Sequence, residues 1–148
     1  MAALPNAVLF ACNLNKVRSP MAAALMRKRW GDRVFVDSCG LSEADEIDPF
    51  AVAVMAELGM DLSHHVPKTF EALEDDAYDL VISLTLQAHE RAADMASAAG
   101  AEALVWATPD PTLETGSREQ RLASYRSVRD HLAHLIDARF SEQPLHDA

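Results

Sequence analysis

Cys12 and Arg18 are the residues whose types and spacing most clearly suggest chemistry. Five residues separate them, an apolar stretch at residues 7–11 comes before, and Ser19-Pro20, which is typical of a helix start, follows. A loop that ends at a helix start presents unpaired N–H groups and the positive end of the helix dipole, and both bind anions. The pattern therefore predicts a phosphate cradle with a thiol nucleophile inside it.

The two side chains have complementary roles in such a cradle. Arg18 offers a bidentate fork for two oxygens of the anion. Helix N-termini and neighbouring cations favour the thiolate form of a cysteine, so we expect Cys12 to be a nucleophile at neutral pH. A buried structural cysteine near a surface arginine is the alternative interpretation. The residues expected to bind the phosphate group are Asn13, Leu14, Asn15, Lys16, Val17, Arg18 and Ser19.

The surrounding pattern predicts the elements that position this loop. Apolar strands alternate with helices, which indicates a parallel sheet with helices on its faces. Three further strands are predicted at residues 34–38, 78–84 and 104–106. One helix is predicted at residues 86–99, and the others begin at the N-caps Ser19, Asp48 and Ser117. Gly31 and Gly59 are expected to end the first two helices.

These elements predict one α/β domain over residues 1–148. Its core is expected to be a four-stranded parallel sheet flanked by helices, in a Rossmann-like three-layer arrangement. Ligands of open parallel sheets bind beyond the carboxyl ends of the strands. The residues that end the predicted strands at that edge are Cys12, Ser38, Leu84 and Trp106.

The composition limits the partners. The formal net charge of -10 opposes binding to nucleic acid or to anionic membranes. Apolar residues make up 49% of the chain, which suits one core, but no apolar run approaches the length of a membrane span. The N-terminal stretch favours a first strand over a signal peptide. The only cysteines, Cys12 and Cys39, give no disulfide framework, so we expect a cytoplasmic protein.

The loop resembles that of the low-molecular-weight protein tyrosine phosphatase family, which has arsenate reductases as relatives of the same fold. The family's loop reads Cys-x-Gly-Asn-x-Cys-Arg-Ser. Leu14 stands at the Gly position and Val17 at the second Cys, and a branched residue such as Leu14 should avoid positive φ. The resemblance covers nearly the whole chain and implies a phosphotyrosine protein phosphatase I-like fold without metal or cofactor. The residues that match the family's loop are Cys12, Asn15, Arg18 and Ser19.

The departing oxygen of a phosphate ester needs an acid at the same sheet edge. Asp110 follows the last predicted strand and stands between Pro109 and Pro111, which restrict its backbone. The family's general acid lies in an Asp-Pro loop at this place, so the resemblance makes Asp110 the candidate acid. A turn-forming Asp before Pro is the alternative interpretation.

The resemblance also implies a network that supports the loop through Asn15. Ser38 stands where the family has a serine that bonds this asparagine, and His64 matches a family Ser-His pair. We expect both to hold Asn15 in a left-handed conformation, which asparagine tolerates better than most residues. A helix-end serine and a surface histidine are the alternative interpretations.

Cys39 is expected to be a small buried apolar residue. In thioredoxin-linked arsenate reductases the resemblance places further cysteines beyond the third strand, where residues 84–99 contain none. We therefore expect no internal relay of three cysteines. The histidines show no convincing ligand spacing, so no metal site is expected.

The substrate entrance departs from the tyrosine-specific members, which the resemblance gives an aromatic wall after the second strand. Here that stretch contains Glu43, Asp45 and Glu46 instead. Acids at the mouth would oppose acidic phosphopeptides, and a phosphotyrosine ring would lack stacking partners.

Three functions fit these residues. The first is a cysteine-dependent phosphatase that acts on a phosphorylated small molecule or phosphoprotein through a cysteinyl-phosphate intermediate, with inorganic phosphate, arsenate or vanadate as anion ligands. The second is an arsenate reductase that uses an external thiol or glutaredoxin. The third is a non-catalytic phosphate-binding module, which is favoured only if Leu14 distorts the loop.

Overall fold

A four-stranded parallel sheet forms the centre of the molecule. The computed structural model describes residues 4–74 and 77–140. The strands are β1 (Ala7–Cys12), β2 (Phe35–Gly40), β3 (Leu80–Ser83) and β4 (Glu102–Val105), in the spatial order β2-β1-β3-β4. The predicted α/β class and parallel sheet are confirmed.

Helices cover both faces of the sheet. They are α1 (Arg18–Trp30), α2 (Pro49–Ala56), α3 (Leu86–Ala99) and α4 (Arg118–Arg139), and short 3-10 turns lie at Phe70–Ala72 and Pro111–Leu113. Helices α1 and α4 contact each other over one face, whereas α3 packs on the other. In β1 the consecutive residues Phe10 and Ala11 belong to two separate apolar cores, because successive side chains of a strand point to opposite faces of the sheet.

Helix starts follow the sequence signals in three of the four helices. Asp48 caps α2 through its side chain, with Pro49 as the first helical residue, and Ser117 forms a reciprocal capping box with Gln120. Helix α3 has the predicted limits and ends at Gly100, whose φ of 69° suits glycine. The predicted N-cap Ser19 is wrong. Helix α1 begins at Arg18 after Val17, which makes no side-chain cap bond.

The strand limits differ by a few residues from those predicted. Strand β1 includes Cys12, β2 continues to Gly40, and β4 ends before Trp106. In the described part of the chain no helix is long and apolar enough to cross a membrane.

Candidate active site

The segment from Cys12 to Arg18 forms a tight loop between β1 and α1. Cys12 is 2% exposed, and its Sγ atom lies 3.2 Å from the backbone nitrogen of Asn15, which donates to it. The Ser19 hydroxyl lies 2.8 Å from the same sulfur. Two polar hydrogens can therefore point at the sulfur, which stabilises negative charge on it.

Asn15 fixes the backbone of this loop. It is fully buried and adopts a left-handed φ of 59°, the only positive φ among the described residues other than glycine. Its side-chain nitrogen Nδ2 donates to the hydroxyls of Ser19 (2.8 Å) and Ser38 (2.9 Å). Its side-chain oxygen accepts from the Lys68 N–H group (2.9 Å). These bonds hold Asn15 in a conformation that would otherwise cost free energy.

The histidine beside Asn15 is His65, so the prediction for His64 is wrong by one residue. His65 Nε2 lies 3.0 Å from the side-chain oxygen of Asn15, to which it donates. Burial is the largest influence on His65 and lowers its pKa, which favours the neutral ring. The His64 side chain is 89% exposed and lies 3.4 Å from an oxygen of Asp61. The turn after Asp61 directs only the second of the two adjacent histidines toward the loop.

Leu14 does not distort the loop. Its backbone avoids positive φ, as expected for a branched residue, and the residue is 43% exposed. The non-catalytic alternative depended on such a distortion and gains no support from the geometry.

Gly40, Lys68 and Thr85 also support the loop, and sequence reasoning gave them no role. A Cβ atom on Gly40 would lie 2.9 Å from the Asn15 nitrogen, so only glycine lets β2 approach this closely. Lys68 contributes through its backbone, whereas the Thr85 hydroxyl donates to the Asn13 side chain (2.8 Å). The one sequence signal for this support was Gly40, a glycine close to the end of a predicted strand, which can mark a close approach of two backbones.

Arg18 and Asp110 meet at the carboxyl edge of the sheet. One guanidinium nitrogen of Arg18 donates to the Thr108 carbonyl (3.0 Å), and another lies 3.9 Å from Asp110 Oδ2. Asp110 Oδ1 accepts from the N–H and hydroxyl groups of Thr112 (3.0 and 2.7 Å). Thr112 bonds only the Oδ1 atom of Asp110, and the Oδ2 atom faces Arg18.

A cavity of about 360 Å³ contains these groups. Asp48 is an unexpected member of its wall, and its Oδ2 atom accepts a hydrogen bond from the buried Tyr125 hydroxyl (2.8 Å). No aromatic residue of the described chain lines the cavity. The lining residues are Cys12, Asn13, Leu14, Lys16, Val17, Arg18, Asp48, Asp110 and Thr112.

The acids expected at the mouth lie elsewhere. Asp45 and Glu46 line a neighbouring groove with Pro67, and Glu43 lines neither surface. Residues 43–48 run past the cavity, and among them only Asp48 lines its wall, where the Asp48 N–H group donates to the Lys16 carbonyl (3.3 Å).

Cys39 lies on the opposite face of the sheet from Cys12. The register pairs Ala11 with Cys39, and Cys12 with Gly40, so the two thiols belong to different apolar cores. Cys39 is fully buried, and burial raises the pKa of its thiol. Because the two side chains point to opposite faces of the sheet, Cys12 and Cys39 cannot form a disulfide with each other without backbone movement.

Known proteins match this chain along most of its length. The family model of the low molecular weight phosphotyrosine protein phosphatases matches residues 7–140. The chain belongs to this family. An arsenate reductase of Halalkalibacterium halodurans is 33% identical over 129 residues, which cover 87% of this chain and 91% of that protein. A glutaredoxin arsenate reductase of Synechocystis sp. is 39% identical over 77 residues, 52% of this chain and 58% of that protein.

Solved structures of this phosphatase family carry two kinds of name. An arginine phosphatase from Geobacillus stearothermophilus superposes with a TM-score of 0.74 at 26% identity, and covers 90% of this chain and 89% of its own. An arsenate reductase in an oxidised state gives the same TM-score and identity, with 90% and 95% covered. Family membership therefore establishes the fold, whereas the two sequence relatives described above are named arsenate reductases.

Proposed function

We propose that this protein is a cysteine-dependent phosphatase of the protein tyrosine phosphatase type, which hydrolyses phosphate monoesters through a cysteinyl-phosphate intermediate. One observation carries the proposal. Cys12 lines a cavity whose wall also holds the Arg18 guanidinium and the Asp110 carboxylate, 3.9 Å apart. A nucleophile, an anion-binding fork and a proton donor are the groups that this reaction needs.

The first step transfers the phosphoryl group to sulfur. The Cys12 thiolate attacks phosphorus, and the bond from phosphorus to the ester oxygen breaks on the opposite side. Asp110 gives its proton to that oxygen, so a neutral alcohol or phenol leaves. Arg18 and the loop N–H groups hold the other phosphate oxygens, which carry the charge of the transition state.

The second step restores the enzyme. Asp110, now a carboxylate, takes a proton from water while the water oxygen attacks phosphorus. The bond between sulfur and phosphorus breaks, and inorganic phosphate leaves. The N–H group of Asn15 and the hydroxyl of Ser19 stabilise the departing Cys12 thiolate.

The proposal includes the ligands and the compartment. Phosphate, arsenate and vanadate should occupy the loop as competing anions, and substrates are phosphorylated small molecules or phosphoproteins. The two unpaired cysteines, Cys12 and Cys39, fit a reducing cytoplasm.

Arsenate reduction is the second candidate, because both sequence relatives described above are named for it. Here the Cys12 thiolate attacks arsenate and displaces water to form a thiol adduct. An external small thiol then attacks the Cys12 sulfur, so that arsenite leaves with two electrons and a mixed disulfide remains. A second external thiol releases Cys12. Cys39 takes no part, because it lies on the other face of the sheet.

One assay separates the two candidates. Hydrolysis of 4-nitrophenyl phosphate is measured beside arsenate reduction with glutathione and glutaredoxin, for the wild type, Cys12→Ser and the matched control Cys39→Ala. We expect phosphate ester hydrolysis that disappears in Cys12→Ser and persists in Cys39→Ala. Thiol-dependent arsenate reduction without ester hydrolysis would replace the first candidate by the second.

A further inference from the structure

Lys16 is the charged residue of the cavity whose side chain has no partner among the described residues. Arg18 donates to the Thr108 carbonyl and faces Asp110, which Thr112 also engages. Asp48 accepts from the hydroxyl of Tyr125. Lys16 is half-buried as a residue, and its ammonium group makes no hydrogen bond or ion pair within residues 4–74 and 77–140.

We propose that Lys16 binds a second anionic group of the substrate. The preferred substrates are then small phosphate monoesters that carry another negative charge, a carboxylate or a second phosphate, close to the ester bond. This inference rests on the proposed phosphatase function and specifies its substrate class. Because Arg18 and the loop N–H groups hold the transferred phosphate, the Lys16 charge remains for the rest of the molecule.

The charges around the cavity support an anion at this position. The chain carries a net charge of -10, yet the two carboxylates of the cavity wall already have donors. The guanidinium groups of Arg118 and Arg121 lie over the Phe50 ring, 5.2 and 4.5 Å from its centre. Neither forms an ion pair with a described residue, and the Phe50 N–H group donates to Asp48 in the cavity wall. These two guanidinium groups therefore lie near the helix start that Asp48 caps, and without an ion-pair partner among the described residues they favour anionic substrates, whereas Asp45 and Glu46 line the neighbouring groove.

A matched pair of substrates tests this assignment. One is 4-(carboxymethyl)phenyl phosphate and the other is its neutral primary amide; the methylene group isolates the leaving phenolate from the charge. The 2- and 3-substituted isomers extend the pair, since they place the carboxylate at other distances from the phosphate. We expect the wild type to prefer the carboxylate in at least one isomer by about three- to five-fold in kcat/KM, the effect of a partly exposed ion pair. The preference should decrease at high salt.

Variants assign the preference to Lys16. Lys16→Gln should bring the ratio of kcat/KM between the acid and its amide close to one, whatever it does to turnover of the amide itself. Lys16→Arg should retain the preference for the acid. Lys28→Gln is the control, because Lys28 lies near the far end of α1 and donates to the Leu58 carbonyl.

Two failures can be distinguished. If each acid and its own amide are turned over with equal kcat/KM in all three isomers, or if the preference is unchanged in Lys16→Gln, the role of Lys16 alone is overturned. Absence of turnover of both members of the pair would overturn the proposed phosphatase function as well.

Discussion

The loop base and the cavity rim of this protein are built differently. The loop base consists of Cys12, Asn15, Ser19 and Ser38, which are buried and joined by hydrogen bonds. The cavity rim consists of Leu14, Lys16 and Thr112. Leu14 is exposed, and the Lys16 ammonium group has no partner among the described residues.

The contrast separates chemistry from specificity. Buried polar groups that are fully bonded define one geometry, since any loosened member leaves an unsatisfied group. Exposed rim residues can change at little cost in stability. Leu14 is exposed and has no positive φ, and the hydrogen bonds of the loop base do not involve its side chain. We therefore expect large effects from changes in the base and smaller, substrate-dependent effects from changes in the rim.

The largest expected effect follows from loss of the nucleophile. Cys12→Ser should lower turnover by about 10⁶-fold, as removal of other covalent nucleophiles does. Binding of vanadate should persist, because Arg18 and the loop N–H groups remain. Isothermal titration with vanadate and an aryl phosphate assay measure the two properties. Retained turnover would remove Cys12 from the chemistry.

The candidate acid should matter most for basic leaving groups. Asp110→Asn should slow phenyl phosphate by about 10² to 10⁴-fold, and 4-nitrophenyl phosphate much less, because nitrophenolate leaves without a proton. Asp137→Asn is the control, since Asp137 lies on α4 and pairs with Arg29. Equal slowing across a series of aryl phosphates would make Asp110 a structural residue.

The fork of Arg18 should not be replaceable by a point charge. We expect Arg18→Lys to lower kcat/KM by about 10² to 10³-fold, the effect of losing a positioned donor to the transition state. Arg27→Lys should have little effect, because Arg27 donates to the Val36 carbonyl away from the cavity. Steady-state kinetics on one aryl phosphate compare the two variants. Similar rates for both would contradict bidentate binding at Arg18.

The two adjacent histidines provide a matched test of the loop base. His65→Ala leaves the Asn15 oxygen with one fewer donor and should lower the free energy of unfolding by about 1 to 2 kcal/mol, whereas His64→Ala should change it by less than about 0.5 kcal/mol. Burial lowers the pKa of His65 below its ordinary 6.5, so the unfolded chain binds more protons and stability falls as pH drops through that range.

Urea unfolding at pH 7 and pH 5 measures both effects. The fall in stability between these pH values should be smaller in His65→Ala than in His64→Ala. The reverse order would place the supporting histidine at His64 after all.

The smallest expected effect concerns phosphotyrosine. The described cavity wall has no aromatic residue on which the ring could stack, so a phosphotyrosine peptide should give a kcat/KM no higher than a simple aryl phosphate. Paired assays at equal salt measure the ratio. A peptide preferred by ten-fold or more would mean that surfaces outside the cavity recognise it.

The sequence predicted local structure well wherever a short signal determines it. The capping residues Asp48 and Ser117 and the limits of α3 depend on neighbours a few residues away, and all were correctly predicted. The position of Cys12 and Arg18 in one loop was predicted from their spacing and from the helix start that follows them. Ser19 was assigned as a cap because serine often caps helices, but here its hydroxyl contacts Cys12 and Asn15 instead.

The errors concern contacts between segments that are distant in sequence. Choosing between His64 and His65 requires the path of the turn that approaches Asn15 from 50 residues away. The same holds for Gly40, whose importance is visible only once β2 lies against the loop. Glu43 and its acidic neighbours were placed by their position in sequence, whereas the chain turns so that only Asp48 lines the cavity.

The most direct test of the central claim is to trap the intermediate. The protein is mixed with 4-nitrophenyl phosphate, quenched with acid within milliseconds, digested and analysed by mass spectrometry. We expect a phosphoryl group on the peptide that contains Cys12, absent from Cys12→Ser and unaffected by Cys39→Ala. Turnover that proceeds with no phosphoryl group on Cys12, or with one on another residue, would contradict the cysteinyl-phosphate mechanism.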